Sequence, residues 1–484
     1  MELSDANLYQ LLLNRDPRFD GLFFIGVKTT GIYCRPVCPA RKPKQENCVF
    51  VKSAAAAEEA GFRPCLRCRP ETAPGSPPWM GTTTTVNKAL RLLGNPTEAG
   101  PMPDLADKLG VGDRHLRRLF KEQLGAPPKS LLQTERLRLA RQMLTDSSLS
   151  ISDIAFASGF HSIRRFNDAW LNVFGISPKK WRAEMRTRKN VPAGPGTTIL
   201  LGYRRPFYWD RMLAFLEKRA IPGVEKIANG TYFRTVRFGT NAGWLRVKKV
   251  PAKDQLEIQL WFEDRQNLLP VIRRIRDMFD LDAVPRMIAG DLRRDLALKT
   301  IMSGKHLNRV PGCWDVFELS MRAIIGQQIS LKGAQTILGR LVAKCEIRAP
   351  ELLHAGATHI FPSPAEVLAV DISDLGMPKK RLETIKTMTH AFADDPAFLN
   401  PGLEKEEARK RLLALPGIGD WTAEYILLRG LKFPDAFPAS DLGLLKAAGE
   451  TKPSDLAKRS HAWRPWRGYA ALILWDSLST GEKK

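Results

Sequence analysis

Two close cysteine pairs near the start constrain this chain more than any other feature. Cys34-x3-Cys38 and Cys65-x2-Cys68 are separated by 26 residues. Each pair is short enough to sit on one tight turn, with Gly31, Pro36 and Pro64 supplying the turn chemistry. Four thiolates so spaced can close a tetrahedral Zn²⁺ shell, and a small domain can fold around it. Cys48, unpaired, reads as a buried apolar-like side chain rather than a ligand.

The chain is strongly basic, with 75 Lys+Arg against 51 Asp+Glu, a net charge of +24 and a pI near 9.9. Such an excess favours a polyanion, either nucleic acid or an anionic membrane surface. No run of 18 apolar residues exists, and Met1-Glu2-Leu3-Ser4-Asp5 lacks the basic-then-apolar start of a signal peptide. The expectation is a cytoplasmic protein that meets DNA and no membrane, with cysteines held as thiols or metal ligands rather than disulfides. At 44% apolar residues the 484-residue chain can bury real cores, about three domains' worth. Residues 79–190 hold 19 Lys+Arg against 10 Asp+Glu, the highest density of positive charge, so DNA contact is expected there first.

Pro/Gly-rich stretches at Pro70–Pro78 and Val191–Gly196 cannot continue a helix or a central strand, so boundaries fall there. The middle segment reads as helical, with Leu116, Leu119, Phe120 and Leu124, then Leu137, Ala140, Arg141 and Leu144, at helical spacing. Residues 231–238 and 256–262 are alternating, β-rich runs. From Leu268 helical periodicity returns and persists. The fold class expected is multidomain and mainly α, with small α+β parts.

The run Gly26-Val27-Lys28-Thr29-Thr30-Gly31-Ile32-Tyr33-Cys34-Arg35-Pro36-Val37-Cys38, followed by Gly61-Phe62-Arg63-Pro64-Cys65-Leu66-Arg67-Cys68, closely resembles the N-terminal domain of Ada-type adaptive-response regulators of bacteria. The resemblance implies one Zn²⁺ held by Cys34, Cys38, Cys65 and Cys68, with Cys34 also accepting a methyl group from a DNA phosphotriester. Zinc keeps the thiol as thiolate at neutral pH, so a nucleophile exists without a separate base. Four thiolates on Zn²⁺ carry −2; methylating one leaves −1, which strengthens binding to phosphates. Arg35, Arg63, Arg67 and Arg69 lie beside the ligands as candidate phosphate contacts.

Leu105–Val111 followed by Asp113–Lys121 reads as a short helix, a glycine turn and a basic helix capped by Asp113. The pattern recurs in Ile151–Phe160 and His161–Asn167. Each second helix places basic side chains near its N-terminus, where a recognition helix meets DNA. The tail Phe174-Gly175-Ile176-Ser177-Pro178-Lys179-Lys180-Trp181-Arg182 resembles the AraC-family signature. That resemblance implies promoter DNA and RNA polymerase as partners, with Arg114, Arg117, Arg118, Arg164 and Arg165 as contacts.

Further on, Leu415-Pro416-Gly417-Ile418-Gly419-Asp420-Trp421 ends one helix, turns on Gly-x-Gly and opens another. Backbone amides at Gly417 and Gly419 can meet a DNA phosphate, with or without a bridging monovalent cation. Some 20 residues later Asp441 stands at the mouth of a helix, as an N-cap would. The order hairpin, then Asp, resembles the helix-hairpin-helix DNA glycosylases. The segments Pro311–Glu318, Arg322–Ser330, Leu375–Pro378 and Trp466–Ala470 identify the 3-methyladenine DNA glycosylase II type, over about 200–480. The family implies that Asp441 stabilises an oxocarbenium-like sugar, that Trp421, Tyr425, Trp475 and Gln327 form the base pocket, and that Gln328 takes the wedge position. Bifunctional members carry a lysine where this chain has Trp421, so a monofunctional enzyme is expected. Ser440 stands where the family often has a second acid, and the wedge is usually apolar. The Pro-Cys-His-Arg acceptor site of Ada's own C-terminal methyltransferase is nowhere in the chain, so repair of O6-methylguanine is not expected.

The resulting reading has four parts: 1–78 a zinc methyl-acceptor domain, 79–190 a helix-turn-helix domain, 197–280 a β-rich subdomain and 281–484 a helix-hairpin-helix glycosylase core. An alternative is a transcription activator whose C-terminal half is a non-catalytic DNA-binding module.

Overall fold

The structure is a computed structural model. It describes residues 4–70, 73–74, 84–93, 105–107, 109–147, 149–186, 196–264, 267–303, 307–349, 356–400 and 402–481. Most of the two Pro/Gly-rich stretches, at 71–72, 75–78 and 191–195, lies outside the described residues. The chain divides into two compact units, Met1–Arg205 with Val250–Arg273, and Pro206–Lys249 with Arg274–Lys484.

The first unit opens with the helix Asp5–Leu13, whose N-cap Ser4 accepts from the Asn7 amide. A four-stranded sheet follows, in the order β3 (Cys48–Val51), β1 (Phe24–Val27), β2 (Ile32–Cys34), β4 (Arg63–Pro64). β2 and β4 run parallel while the other pairs are antiparallel, which carries the two cysteine pairs to one end. Gly26 is obligatory on β1, because a Cβ there would lie 2.5 Å from the Phe62 ring. Cys48 is half-buried beside Leu12, Phe23 and Ile25, apart from the other cysteines.

Helices Asp113–Leu124, Pro128–Asp146, Ile151–Ala157, Ile163–Phe174 and Pro178–Arg186 then build the helical part. Leu116 and Phe120 are buried on the first, and Leu137, Ala140, Arg141 and Leu144 on the second, as the helical spacing predicts. Trp170 is the centre of the second half, stacked on Phe174 at 4.1 Å and edge-on to Trp181 at 5.6 Å. One expectation fails in detail. Gly112, not Asp113, caps the first recognition-type helix, and the Asp113 carboxylate pairs with Arg117 at 2.7 Å. A one-residue shift of boundary moved the acid from cap to first turn. β5 (Thr197–Gly202) pairs antiparallel with β9 (Gln255–Phe262) within this unit.

In the second unit β6 (Glu225–Ala228), β7 (Thr231–Phe238) and β8 (Asn241–Lys249) form antiparallel ladders. The helix Trp209–Glu217 interrupts the region read from sequence as β-rich. At the helical centre lies Val316–Ile325, buried on nearly all sides and packed against Lys379–Asp394 and Asp420–Arg429. A closed ion network fastens it to the strands: Arg234 donates to Glu318 at 2.6 Å, and Arg322 to Glu318 at 2.7 Å and Glu225 at 2.5 Å. Burial alone would raise the Glu225 carboxyl, but Arg322 and Arg234 outweigh it and hold it at about 2.

Candidate functional site

The four cysteines meet where β2 and β4 end. Cys34 closes β2, and a turn bonded from the Cys38 amide to the Arg35 carbonyl at 3.1 Å returns the chain to it. Cys65 follows β4, its amide bonded to the Tyr33 carbonyl at 3.0 Å. The four sulfurs lie within 4.8 Å of one another. A tetrahedral thiolate shell with Zn–S near 2.3 Å places its sulfurs roughly 3.8 Å apart, so the cluster fits zinc. Cys38, Cys65 and Cys68 are buried, whereas Cys34 keeps a partly exposed surface.

The neighbouring arginines divide. Arg35 is committed to the domain, its Nε donating to Asp20 at 2.8 Å and its amide meeting Cys68 Sγ at 3.5 Å. Arg69 pairs with Asp146 at 2.9 Å. Both therefore build the site's frame, and Arg63 and Arg67 are the ones left exposed toward solvent. Arg141, 3% exposed, donates to the Cys65 carbonyl at 3.1 Å and lies over the Trp181 ring, joining the cysteine turn to the helical core.

Arg114, Arg117 and Arg118 are exposed on Asp113–Leu124, and Arg164 and Arg165 on the first turn of Ile163–Phe174. Arg117 and Arg118 hold exposed i,i+4 pairs with Asp113 and Glu122, which are weak, and Arg118 also meets His115 Nδ1 at 3.1 Å.

In the second unit the turn after Lys405–Leu413 leads into Asp420–Arg429. Gly417 has φ +83°, and a Cβ there would lie 2.0 Å from Thr384 Oγ1, so only glycine fits. Gly419 caps the second helix with open space around it, leaving that amide end accessible. Asp441 caps Leu442–Ala448, Oδ1 accepting from the Leu444 amide at 2.8 Å. The same carboxylate accepts from two indoles, Trp421 Nε1 at 2.6 Å and Trp475 Nε1 at 2.9 Å. Trp421 stacks on Tyr425 with ring centroids 5.1 Å apart and planes 12° from parallel. Asp441, Trp421, Tyr425 and Trp475 all line one cavity of about 700 Å³, of a size for a small ligand.

Two glutamines separate from that group. Gln327 is not among the cavity's lining residues; its Nε2 donates to Thr422 Oγ1 at 2.9 Å and braces the hairpin. Its amide is held there by a hydroxyl in the hairpin's own helix. Gln328 is exposed with φ +55°, a left-handed conformation that side chains adopt at a cost. Phe215, Arg219 and Arg429 also line the cavity and escaped the sequence reading. Arg219 sits 3.8 Å and Arg429 4.8 Å from the Phe215 ring centre. Burial would raise the Tyr425 phenol, but Arg429 and Arg219 hold it below its ordinary value. Phe215 repeats with Met212 and Leu216 at core spacing, so periodicity could not single it out.

Three family descriptions match the chain: the metal binding domain of Ada over residues 7–71, a helix-turn-helix domain over 105–184, and the AlkA N-terminal domain over 198–315. They define a class in which a metal-binding regulatory part and a glycosylase-type part share one chain. The fold of the second part resembles the 3-methyladenine DNA glycosylase of Archaeoglobus fulgidus, with a TM-score of 0.50 at 19% identity over 57% of this chain and 97% of that one. DNA-3-methyladenine glycosylase 2 of Escherichia coli is 31% identical over 57% of this chain and 95% of its own length. A Mycobacterium tuberculosis protein named probable bifunctional transcriptional activator/DNA repair enzyme AlkA is 40% identical over 97% of this chain and 96% of its own. The chain belongs to that family of bifunctional transcriptional activator/DNA repair enzymes. Among the described residues no helix is long and apolar enough to cross a membrane.

Proposed function

We propose that this protein excises alkylated purines such as 3-methyladenine from DNA, takes a methyl group from DNA phosphotriesters onto Cys34, and binds promoter DNA as an activator. The observation that carries the repair reading is Asp441, held by two indoles and a backbone amide at the wall of an aromatic cavity.

The damaged nucleotide leaves the stack and enters the cavity. Trp421, Tyr425 and Trp475 offer electron-rich faces to a cationic base, an attraction of about 1–2 kcal/mol when desolvated. A base with positive charge is already a good leaving group, so little acid help is needed. As the C–N bond lengthens, the Asp441 carboxylate stabilises positive charge on the sugar and orients the attacking water. Trp421 stands where a Schiff-base lysine would be needed, so the product is an abasic site without strand cleavage. Gln328, exposed and strained, fills the gap in the duplex. Gly417 and Gly419 hold a backbone phosphate, together with a monovalent cation at the hairpin.

In the first unit Cys34, Cys38, Cys65 and Cys68 hold zinc, which when bound keeps the thiols as thiolates. Cys34 Sγ attacks the methyl carbon in line; the S–C bond forms as the C–O bond breaks, and a phosphodiester anion leaves. Cys34 suits this role because it is the most accessible of the four. Arg114, Arg117, Arg118, Arg164 and Arg165 bind promoter DNA, with RNA polymerase as the partner recruited in the bacterial cytoplasm at the nucleoid. The four-part division at 1–78, 79–190, 197–280 and 281–484 gives each activity its own segment. Zinc content and release of 3-methyladenine from methylated DNA, measured on one purified sample, test the reading: one zinc per chain and a free base are expected, and absence of base release contradicts the enzyme.

A further inference from the structure

We infer that Arg429 is a positioning residue for base excision: it fixes the Tyr425 ring, and through the stack on Trp421 it sets the indole that holds Asp441. The inference rests on the reading of this cavity as the base pocket. Trp421, Tyr425 and Arg429 stand at i, i+4 and i+8 on the helix Asp420–Arg429, so they share one face, and all three line the cavity. A cation in the last turn of a helix is ordinary, because it meets the negative end of the helix dipole. Arginines are mostly exposed, however, and Arg429 is only 7% exposed.

Its guanidinium is held at three points. Nε donates to the Pro311 carbonyl at 2.8 Å and Nη2 to the Gly312 carbonyl at 3.2 Å, while Nη1 donates to the Tyr425 hydroxyl oxygen. Those two carbonyls are on fixed backbone. The Gly312 amide donates to the Met278 carbonyl at 2.9 Å, and a Cβ on Gly312 would lie 2.5 Å from the Asp277 carbonyl oxygen. All three acceptors are neutral oxygens, so these bonds do not neutralise the buried charge. What they fix is direction. A planar fork bonded to two rigid carbonyls presents its remaining edge to one place, the Tyr425 oxygen. Arg219, 3.8 Å from the Phe215 ring centre, puts a second positive charge beside the same phenol. So anchored, the Tyr425 ring cannot swing away from Trp421, whose plane lies 12° from parallel to it at 5.1 Å. Trp421 in turn donates to Asp441 at 2.6 Å. A line of contacts runs from a rigid loop to the proposed reacting carboxylate.

The test uses the full-length protein and a duplex carrying 3-methyladenine, with the maximal single-turnover rate, the half-saturating protein concentration and melting curves. Arg429→Lys keeps the charge but offers a point donor that cannot bridge both carbonyls and the phenol. Tyr425→Phe keeps the ring and removes the oxygen. Each is expected to lower the maximal rate by about 10-fold or more, the size of one hydrogen bond to a charged group, with half-saturation unchanged. The double variant should be no slower than Arg429→Lys alone, since both changes remove the same bond; two independent packing defects would multiply to about 100-fold. The inference is overturned if folded Arg429→Lys keeps the wild-type maximal rate, if only half-saturation moves, or if the two losses multiply. Should Arg429→Lys fail to fold, Tyr425→Phe decides alone: a slower maximal rate at unchanged half-saturation supports the inference, and the wild-type rate overturns it. If folded wild-type protein releases no base, the pocket reading itself falls and takes the inference with it.

Discussion

Trp421 and Asp441, 20 residues apart, are joined by a hydrogen bond of 2.6 Å from the indole Nε1 to the carboxylate Oδ2. One wall of the cavity and the proposed reacting carboxylate are thus a single unit, and Trp475 completes it from the other oxygen at 2.9 Å. Trp421→Phe keeps an aromatic face for Tyr425 but removes the donor. Base release is expected to fall by about 10-fold or more, as for one hydrogen bond to a charged group. Melting should change little. A Trp421→Phe enzyme at full rate would show that the indole only stacks.

The zinc site gives a stoichiometric prediction. Cys38→Ala, Cys65→Ala or Cys68→Ala should each lose zinc and unfold the first sheet, since these buried side chains are the proposed ligands. Cys34→Ala should lose methyl transfer outright. Mass spectrometry of protein exposed to methyl phosphotriester DNA checks this: the label belongs on the peptide containing Cys34 and on no other cysteine.

If Cys34 accepts a methyl group as proposed, one negative charge is removed at the zinc cluster. Affinity for a promoter duplex should therefore rise, most clearly at low salt, where phosphate contacts dominate. Titrations of methylated and unmethylated protein across a salt series measure it. Equal affinities throughout would end the idea of a charge switch.

Glu225 makes stability in the second unit depend on pH. Burial opposes its charge, but Arg322 and Arg234 lower its carboxyl from an ordinary 4.5 to about 2. A lowered value means that this contribution is complete above about pH 4.5 and is lost as pH falls through 2. Glu225→Gln should cost about 3–5 kcal/mol at neutral pH, because Arg322 and Arg234 lose a buried partner. It should also flatten the acid limb between those values. Chemical denaturation of both proteins at pH 7 and pH 3 gives the comparison.

Much of the site was legible in the sequence because its chemistry is local. Cysteine spacing announces a metal cluster, and a glycine such as Gly417 is forced by its own backbone. Asp441 read as a cap and also as the proposed reacting acid; the structure shows the cap, with the same carboxylate bonded to Trp421. What could not be read is built from contacts between distant segments. Nothing near Glu225 or Arg234 reveals that Glu318 and Arg322, some 90 residues on, will close their charges. Gln327 carried no local sign that Thr422 would hold its amide. Likewise the helix Trp209–Glu217 hides among strands, because short apolar spacing suits either core.

The most direct test is Asp441→Asn. Asn and Asp are similar N-caps, so the helix Leu442–Ala448 and the fold should survive. The charge that meets the oxocarbenium-like sugar is lost, which should slow release of 3-methyladenine by on the order of 10²–10³ under single-turnover conditions. DNA binding should persist or tighten slightly. A folded Asp441→Asn protein that releases the base at near the wild-type rate would show that Asp441 is only a helix cap and would contradict the account.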